Sequence, residues 1–115
     1  MPVSVTTEYI TYPSGDRTVT AYVARPAEGT GPWPGLVVIQ EIFGLVEHIE
    51  EKTRKLAAEG YVAVAPDLYC HDSRRKNLTT QDIEECLPVR RAEDPEAALA
   101  QIPEDRRAQV RAAYE

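Results

Sequence analysis

Gly35-Leu36-Val37-Val38-Ile39-Gln40-Glu41-Ile42-Phe43-Gly44 is the run from which the rest of this chain is best read. Its first half is short, apolar and β-branched, which predicts a strand buried on both faces inside a parallel sheet. Its second half sets an amide and a carboxylate among apolar residues at the strand's carboxyl end. In open α/β sheets that end is where ligands bind. The strand is architecture, and the loop after it is the candidate for chemistry.

Downstream, Val46 to Glu59 predicts a helix. Ile49, Leu56 and Ala57 recur at helical spacing beside Thr53, with Glu50, Glu51, Lys52, Arg54 and Lys55 on the outer face. Gly60 is placed to cap it by adopting positive φ. Tyr61 to Ala65 is a second buried strand, stopped by Pro66. Strand, helix and strand at this spacing make a βαβ unit, expected to be right-handed. Upstream, Val3 to Tyr12 and Thr18 to Ala24 alternate polar and apolar residues around Pro13-Ser14-Gly15-Asp16, predicting an antiparallel hairpin at a sheet edge. The Pro- and Gly-rich stretch from Arg25 to Pro34 connects hairpin to strand. Beyond Tyr69 the pattern weakens. A short helix over Thr80 to Cys86, a helical turn or more over Pro95 to Ala100, and a helix opened by Pro103 and running from Glu104 to Tyr114 are expected. No Gly, Asn or Pro stops the last helix before Glu115, so the ending reads as cut.

At 115 residues the chain is one domain at most. With 43% hydrophobic and 28% charged residues it has the composition of a globular chain, not a disordered one. A net charge of -6 argues against a nucleic-acid partner, which requires a basic face. No apolar run approaches the ~20 residues that span a bilayer, and the first residues lack the basic and apolar regions of a signal peptide. The expectation is a cytoplasmic protein with no membrane association, and Cys70 and Cys86 suit a compartment that keeps thiols reduced.

Three segments taken together, Val37-Val38-Ile39-Gln40-Glu41-Ile42-Phe43-Gly44, Leu56-Ala57-Ala58-Glu59-Gly60-Tyr61-Val62-Ala63 and Ala65-Pro66-Asp67-Leu68-Tyr69, resemble the N-terminal half of the dienelactone hydrolases (carboxymethylenebutenolidases) of the α/β-hydrolase fold. The match is sharp from about Pro34 to Tyr69, loose in the hairpin and poor from Cys70 to Ile102. The resemblance implies an α/β fold: the opening half of an α/β-hydrolase sheet, with a hairpin edge, the βαβ unit and a C-terminal helix. It implies hydrolysis of a small-molecule carboxylic ester or lactone through an acyl-enzyme, with no metal or organic cofactor. It places Glu41 against the resting nucleophile, whose ionisation it would control, and makes the backbone N–H of Ile42 one donor of the oxyanion hole. A carboxylate in an apolar pocket has raised proton affinity and can exchange a proton with a thiol. A rigid backbone N–H can meet the charge of a tetrahedral intermediate without reorganising.

The departure from the family is as informative. Neither Gly-x-Ser-x-Gly nor Gly-x-Cys-x-Gly occurs in these residues, and Cys70 and Cys86 lack the flanking glycines of a nucleophile turn. His48 and His71 lie far upstream of the family's catalytic histidine. The expectation is therefore a single partial domain over residues 1–115, ending before the nucleophile strand, with no triad and no turnover by itself. In the family's sheet, Leu36 to Ile39 pairs on one side with Tyr61 to Ala65 and on the other with the nucleophile strand. An edge left bare there is a template for self-association or for another partner.

Other readings stand beside these. Glu41 can equally cap the following helix or face water. Cys70-His71-Asp72 with Cys86 has ligand types without paired ligand spacing, so a loop is favoured over a metal site. His48 reads as a surface residue, and Asp67 as either a substrate contact or a turn residue. Arg74, Arg75, Arg90 and Arg91 could hold a substrate carboxylate or form a solvated face. Arg106, Arg107 and Arg111 read as solvent-facing, with Glu104 and Asp105 as partners.

Overall fold

The structure, a computed structural model, describes residues 4–72 and 77–114. Val3, Arg74 and Arg75, each part of an expectation above, lie outside the described residues. The chain divides into two compact units, Met1–His71 and Asp72–Glu115.

The first unit is a mixed four-stranded sheet with one helix. Strands β1 (Val5–Ser14) and β2 (Arg17–Pro26) form the expected antiparallel hairpin, in register from Val5↔Pro26 to Ser14↔Arg17. The strand continues through Pro13 and Ser14, so the turn tightens to Gly15-Asp16. Gly15 has φ of 64° and Asp16 a negative φ, the sign pattern of a type II′ turn. Pro13 is tolerated because β1 is the outer strand, where a missing N–H breaks no interior ladder. Strand β3 (Gly35–Val37), helix α1 (Glu47–Ala58) and strand β4 (Val62–Pro66) then make the βαβ unit, with β3 parallel to β4. The sheet order is β1-β2-β4-β3.

Helix α1 buries Ile49, Thr53 and Ala57, one residue per turn along one stripe. The Thr53 hydroxyl, itself buried, donates to the Ile49 carbonyl at 2.7 Å, so no polar group is left unsatisfied on that face. Ile49 packs with Tyr22 and Ala65 from the sheet, and Val38, Leu45 and Val46 close over them. Gly60 ends the helix as expected. With φ of 103° it lets its own N–H reach the Ala57 carbonyl at 3.0 Å and the Tyr61 N–H reach that of Leu56 at 3.4 Å, a Schellman closure. Arg54, assigned to the outer face by spacing, folds back: it pairs with Glu47 at 2.5 Å and donates to the Tyr22 hydroxyl at 3.1 Å. Across the sheet end, the Tyr9 hydroxyl donates to Glu50 while its ring lies 5.2 Å from that of Tyr22.

The expectation of a strand buried on both faces needs correction at β3. Regular pairing stops at Val37, although the Val38 N–H still donates to the Val64 carbonyl at 2.8 Å. Val37 and Ile39 are 69% and 71% exposed. Among the described residues β3 is the last strand in the order, so only its inner edge is paired, and it is Val38, just past its end, that packs against the Ile49 cluster. An apolar β-branched run records a preference for burial; it does not record which neighbours are present.

The second unit consists of α2 (Thr80–Arg91), α3 (Pro95–Ala100) and α4 (Glu104–Tyr114) around Cys86, Val89, Leu99, Val110 and Ala113. The short helix expected over Thr80 to Cys86 runs five residues further, through Pro88. Proline removes one ladder bond, but Cys86 and Val89 on either side of it are both in the core. Thr79 and Asp82 form a reciprocal capping box at its start, and Asp94 with Pro95 at N1 starts α3.

The arginines of α4 find other partners than expected. Arg106 bonds to Asp82 and, at 3.3 Å, to Glu85; Arg107 donates to the carbonyls of Ala100 and Ile102; Arg111 makes a two-pronged contact with Glu96. Side chains one or two residues apart on a helix point apart, which keeps Asp105 from its arginine neighbours. Asp82 is buried, which by itself pushes its carboxyl up; the Thr79 bonds and Arg106 outweigh that and hold it below the usual carboxylate range. No helix among the described residues is long and apolar enough to cross a membrane.

Candidate functional site

The two loops that follow β3 and β4 meet at the carboxyl rim of the sheet. After β3 the chain turns over Glu41-Ile42-Phe43-Gly44, closed by the Gly44 N–H on the Glu41 carbonyl at 3.1 Å. Gly44 sits at φ of 86°, and a Cβ there would lie 3.2 Å from the Tyr69 ring, so both backbone and space demand glycine. After β4 the chain turns over Asp67, whose carboxylate accepts the Tyr69 N–H at 3.0 Å and whose own N–H donates to the Thr20 carbonyl at 2.8 Å.

Two side chains clasp the loops together. The Gln40 side-chain oxygen accepts the Leu68 N–H at 2.9 Å, and the Tyr69 hydroxyl donates to the Ile42 carbonyl at 3.0 Å. Both ties join residues close to thirty positions apart in sequence. They were not anticipated as positioning residues. Their only sequence signal is that an amide ends one strand and a tyrosine lies three residues beyond the proline that ends the other.

The clasp leaves the backbone of Ile42 in a defined state. Its carbonyl is held by Tyr69, while among the described residues its N–H has no acceptor. Its side chain is 42% exposed. The arrangement offers a fixed N–H donor at the end of a sheet strand. Glu41 is exposed, and among the described residues its carboxylate has neither a hydrogen-bond nor an ionic partner. The apolar pocket that would raise its proton affinity is not formed by the described residues.

The remaining candidates are dispersed. His48 is exposed in the first turn of α1. Cys70 is a half-buried free thiol whose Sγ lies 3.5 Å from His71 Nε2 and 3.8 Å from the Thr18 carbonyl. Cys86 is buried in the helical unit. Among the described residues no three His, Cys, Asp or Glu side chains gather in a way that could hold a metal ion. Arg90 and Arg91 are exposed in the last turn of α2.

Residues 19–114 match the model of the dienelactone hydrolase family. A carboxymethylenebutenolidase-like protein of Yersinia pestis is 46% identical over 69 residues, which are 60% of this chain and 26% of that one. A similarly described protein of Escherichia coli strain K12 is 49% identical over 61 residues, 53% of this chain and 22% of its own. The chain thus spans about a quarter of the length of these curated relatives. Among solved structures, a dienelactone hydrolase-like protein of Klebsiella pneumoniae superposes with a TM-score of 0.55 at 45% identity, over 57% of this chain and 28% of that chain. A dienelactone hydrolase-like promiscuous phosphotriesterase from metagenomic libraries gives 0.56 at 26% identity, over 92% of this chain and 40% of its own.

Proposed function

The chain is a member of the dienelactone hydrolase family, and on that footing we propose that the whole protein hydrolyses a carboxylic ester or lactone through an acyl-enzyme. The observation that carries this reading is the N–H of Ile42, which has no acceptor among the described residues and lies on a turn closed by Gly44 and tied down by Tyr69. An N–H donor held in advance at the place where negative charge develops needs no reorganisation when the tetrahedral intermediate forms, and removing one such donor typically costs a factor of about 10² to 10³ in rate.

In this proposal Glu41 governs the nucleophile. Further chain closing over the rim would take its carboxylate out of water and raise its proton affinity, so that it could exchange a proton with a neighbouring thiol or hydroxyl. The nucleophile, its histidine and its aspartate are supplied by other residues, because no nucleophile-turn motif occurs in these 115. The chain of 115 residues therefore does not turn over by itself.

Hydrolysis of 4-nitrophenyl acetate separates the parts of the proposal. The 115-residue chain should be inactive, and a longer protein containing it should be active. There Glu41→Gln should lower kcat by roughly 10²-fold, the lower range for a lost proton-transfer group. Turnover by the 115 residues, or an unaffected E41Q enzyme, refutes the assignment.

A second reading rests on β3. Its outer edge carries no strand among the described residues, and Val37 and Ile39 lie exposed along it. Such an edge is a template for pairing with another chain. Sedimentation over a wide concentration range should show association that Val37→Lys abolishes; a monomer throughout removes this reading.

A further inference from the structure

A concave feature lies between the end of the β1–β2 hairpin and the 67–71 loop. The hairpin end and this loop flank a half-open pocket of about 260 Å³, lined by Tyr12, Ser14, Arg17, Val19, Leu68 and His71. Asp67 lines it as well. Arg17 and Asp67 share the cavity without bonding to each other, and among the described residues neither has an ionic partner. Asp67 keeps one oxygen on the Tyr69 N–H, which fixes the carboxylate in place.

We propose that this cavity binds a free α-amino acid with an apolar side chain, its carboxylate on Arg17, its ammonium on Asp67, and its side chain against Val19, Leu68 and the Tyr12 ring. The charge pattern selects this ligand class. A simple anion drawn to Arg17 would face the Asp67 carboxylate, and a simple cation drawn to Asp67 would face the guanidinium. A zwitterion satisfies both, and the planar guanidinium fork is matched to a carboxylate. The volume lies just under the roughly 300 to 1,000 Å³ of drug-sized sites, which suits a ligand as small as an amino acid. The proposal is independent of the hydrolase reading, since neither Glu41 nor Ile42 takes part and its test reads binding alone.

The test uses three probes of the same shape: L-leucine, 4-methylpentanoate without the amine, and 3-methylbutylamine without the carboxylate. Each is titrated into the protein and followed by backbone amide shifts. L-Leucine should move the amides of residues 12, 14, 17, 19, 67, 68 and 71, and each half-ligand should bind at least about tenfold more weakly, the loss expected for one charge-assisted contact. Arg17→Gln should weaken L-leucine about tenfold and leave 3-methylbutylamine equal or tighter. Asp67→Asn, which can still accept the Tyr69 N–H, should weaken L-leucine and leave 4-methylpentanoate equal or tighter. Binding of 4-methylpentanoate as tight as that of L-leucine would make this a plain anion site and overturn the proposal. So would unchanged leucine affinity in R17Q, or shifts confined to other residues.

Discussion

Replacing Gly44 with alanine should destabilise the sheet unit by about 2–3 kcal/mol, through two effects that can be told apart. The first is local. At φ of 86° an alanine is held in the left-handed half of conformational space, which costs an L-residue roughly 1–2 kcal/mol. The second is transmitted. The new Cβ would meet the Tyr69 ring at 3.2 Å, and a ring that gives way carries its hydroxyl off the Ile42 carbonyl, 3.0 Å distant, forfeiting about 1 kcal/mol. Trp33 is the single tryptophan and belongs to the same unit as Gly44, so its fluorescence in a urea titration reports the relevant transition. Tyr69→Phe alone should cost about 1 kcal/mol. In the double variant the transmitted part has already been removed, so G44A should add only the local 1–2 kcal/mol, a coupling of about 1 kcal/mol. Strict additivity, or a loss below about 0.5 kcal/mol for G44A, refutes the claim that this glycine exists to let Tyr69 hold the Ile42 turn.

The buried Asp82 makes the helical unit acid-sensitive. Its folded carboxyl titrates below the unfolded one, so its stabilisation is present at neutral pH and lost as pH falls through that depressed value. Helical circular dichroism melts should therefore show the parent losing more stability on acidification than Asp82→Asn; equal losses contradict the assignment. Tyr9, hydrogen-bonded to Glu50, is pushed up to about 12 from 10.0. That contribution is complete below 10 and disappears as pH rises through about 12. Spectrophotometric titration should find a late phenol that Glu50→Gln shifts back towards 10.0. Gly60→Ala should cost about 1–2 kcal/mol, because φ of 103° is strained for alanine although nothing crowds the position; an unchanged urea midpoint would contradict the Schellman closure.

Much of the architecture was legible without coordinates because it rests on local rules. Alternation on either side of Pro13-Ser14-Gly15-Asp16 specifies a hairpin, although its two-residue turn and register came from the structure. Ile49, Thr53 and Ala57 recur at helical spacing whatever they pack against. Gly60 and Pro103 mark element ends through their own φ preferences and missing donors. The site was half legible. The residues of the Gln-Glu-Ile-Phe-Gly turn stood out by composition and by likeness to a family, and the Ile42 amide lies on a turn where, among the described residues, its N–H has no acceptor.

Tertiary structure alone decided the rest, since it concerns which distant groups meet. That Gln40 holds Leu68, that Tyr69 holds Ile42 and that Arg106 turns to Asp82 in place of Asp105 depend on how loops and helices are juxtaposed. The same holds for the exposure at β3. Its β-branched residues encode an affinity for burial. Among the described residues the strand order places it outermost, as likeness to the family led one to expect, and the structure adds that Val37 and Ile39 are exposed. Periodicity is a property of one segment and can be read along the chain; a contact is a property of two, and is fixed only when the sheet order and the crossings of the chain have been set.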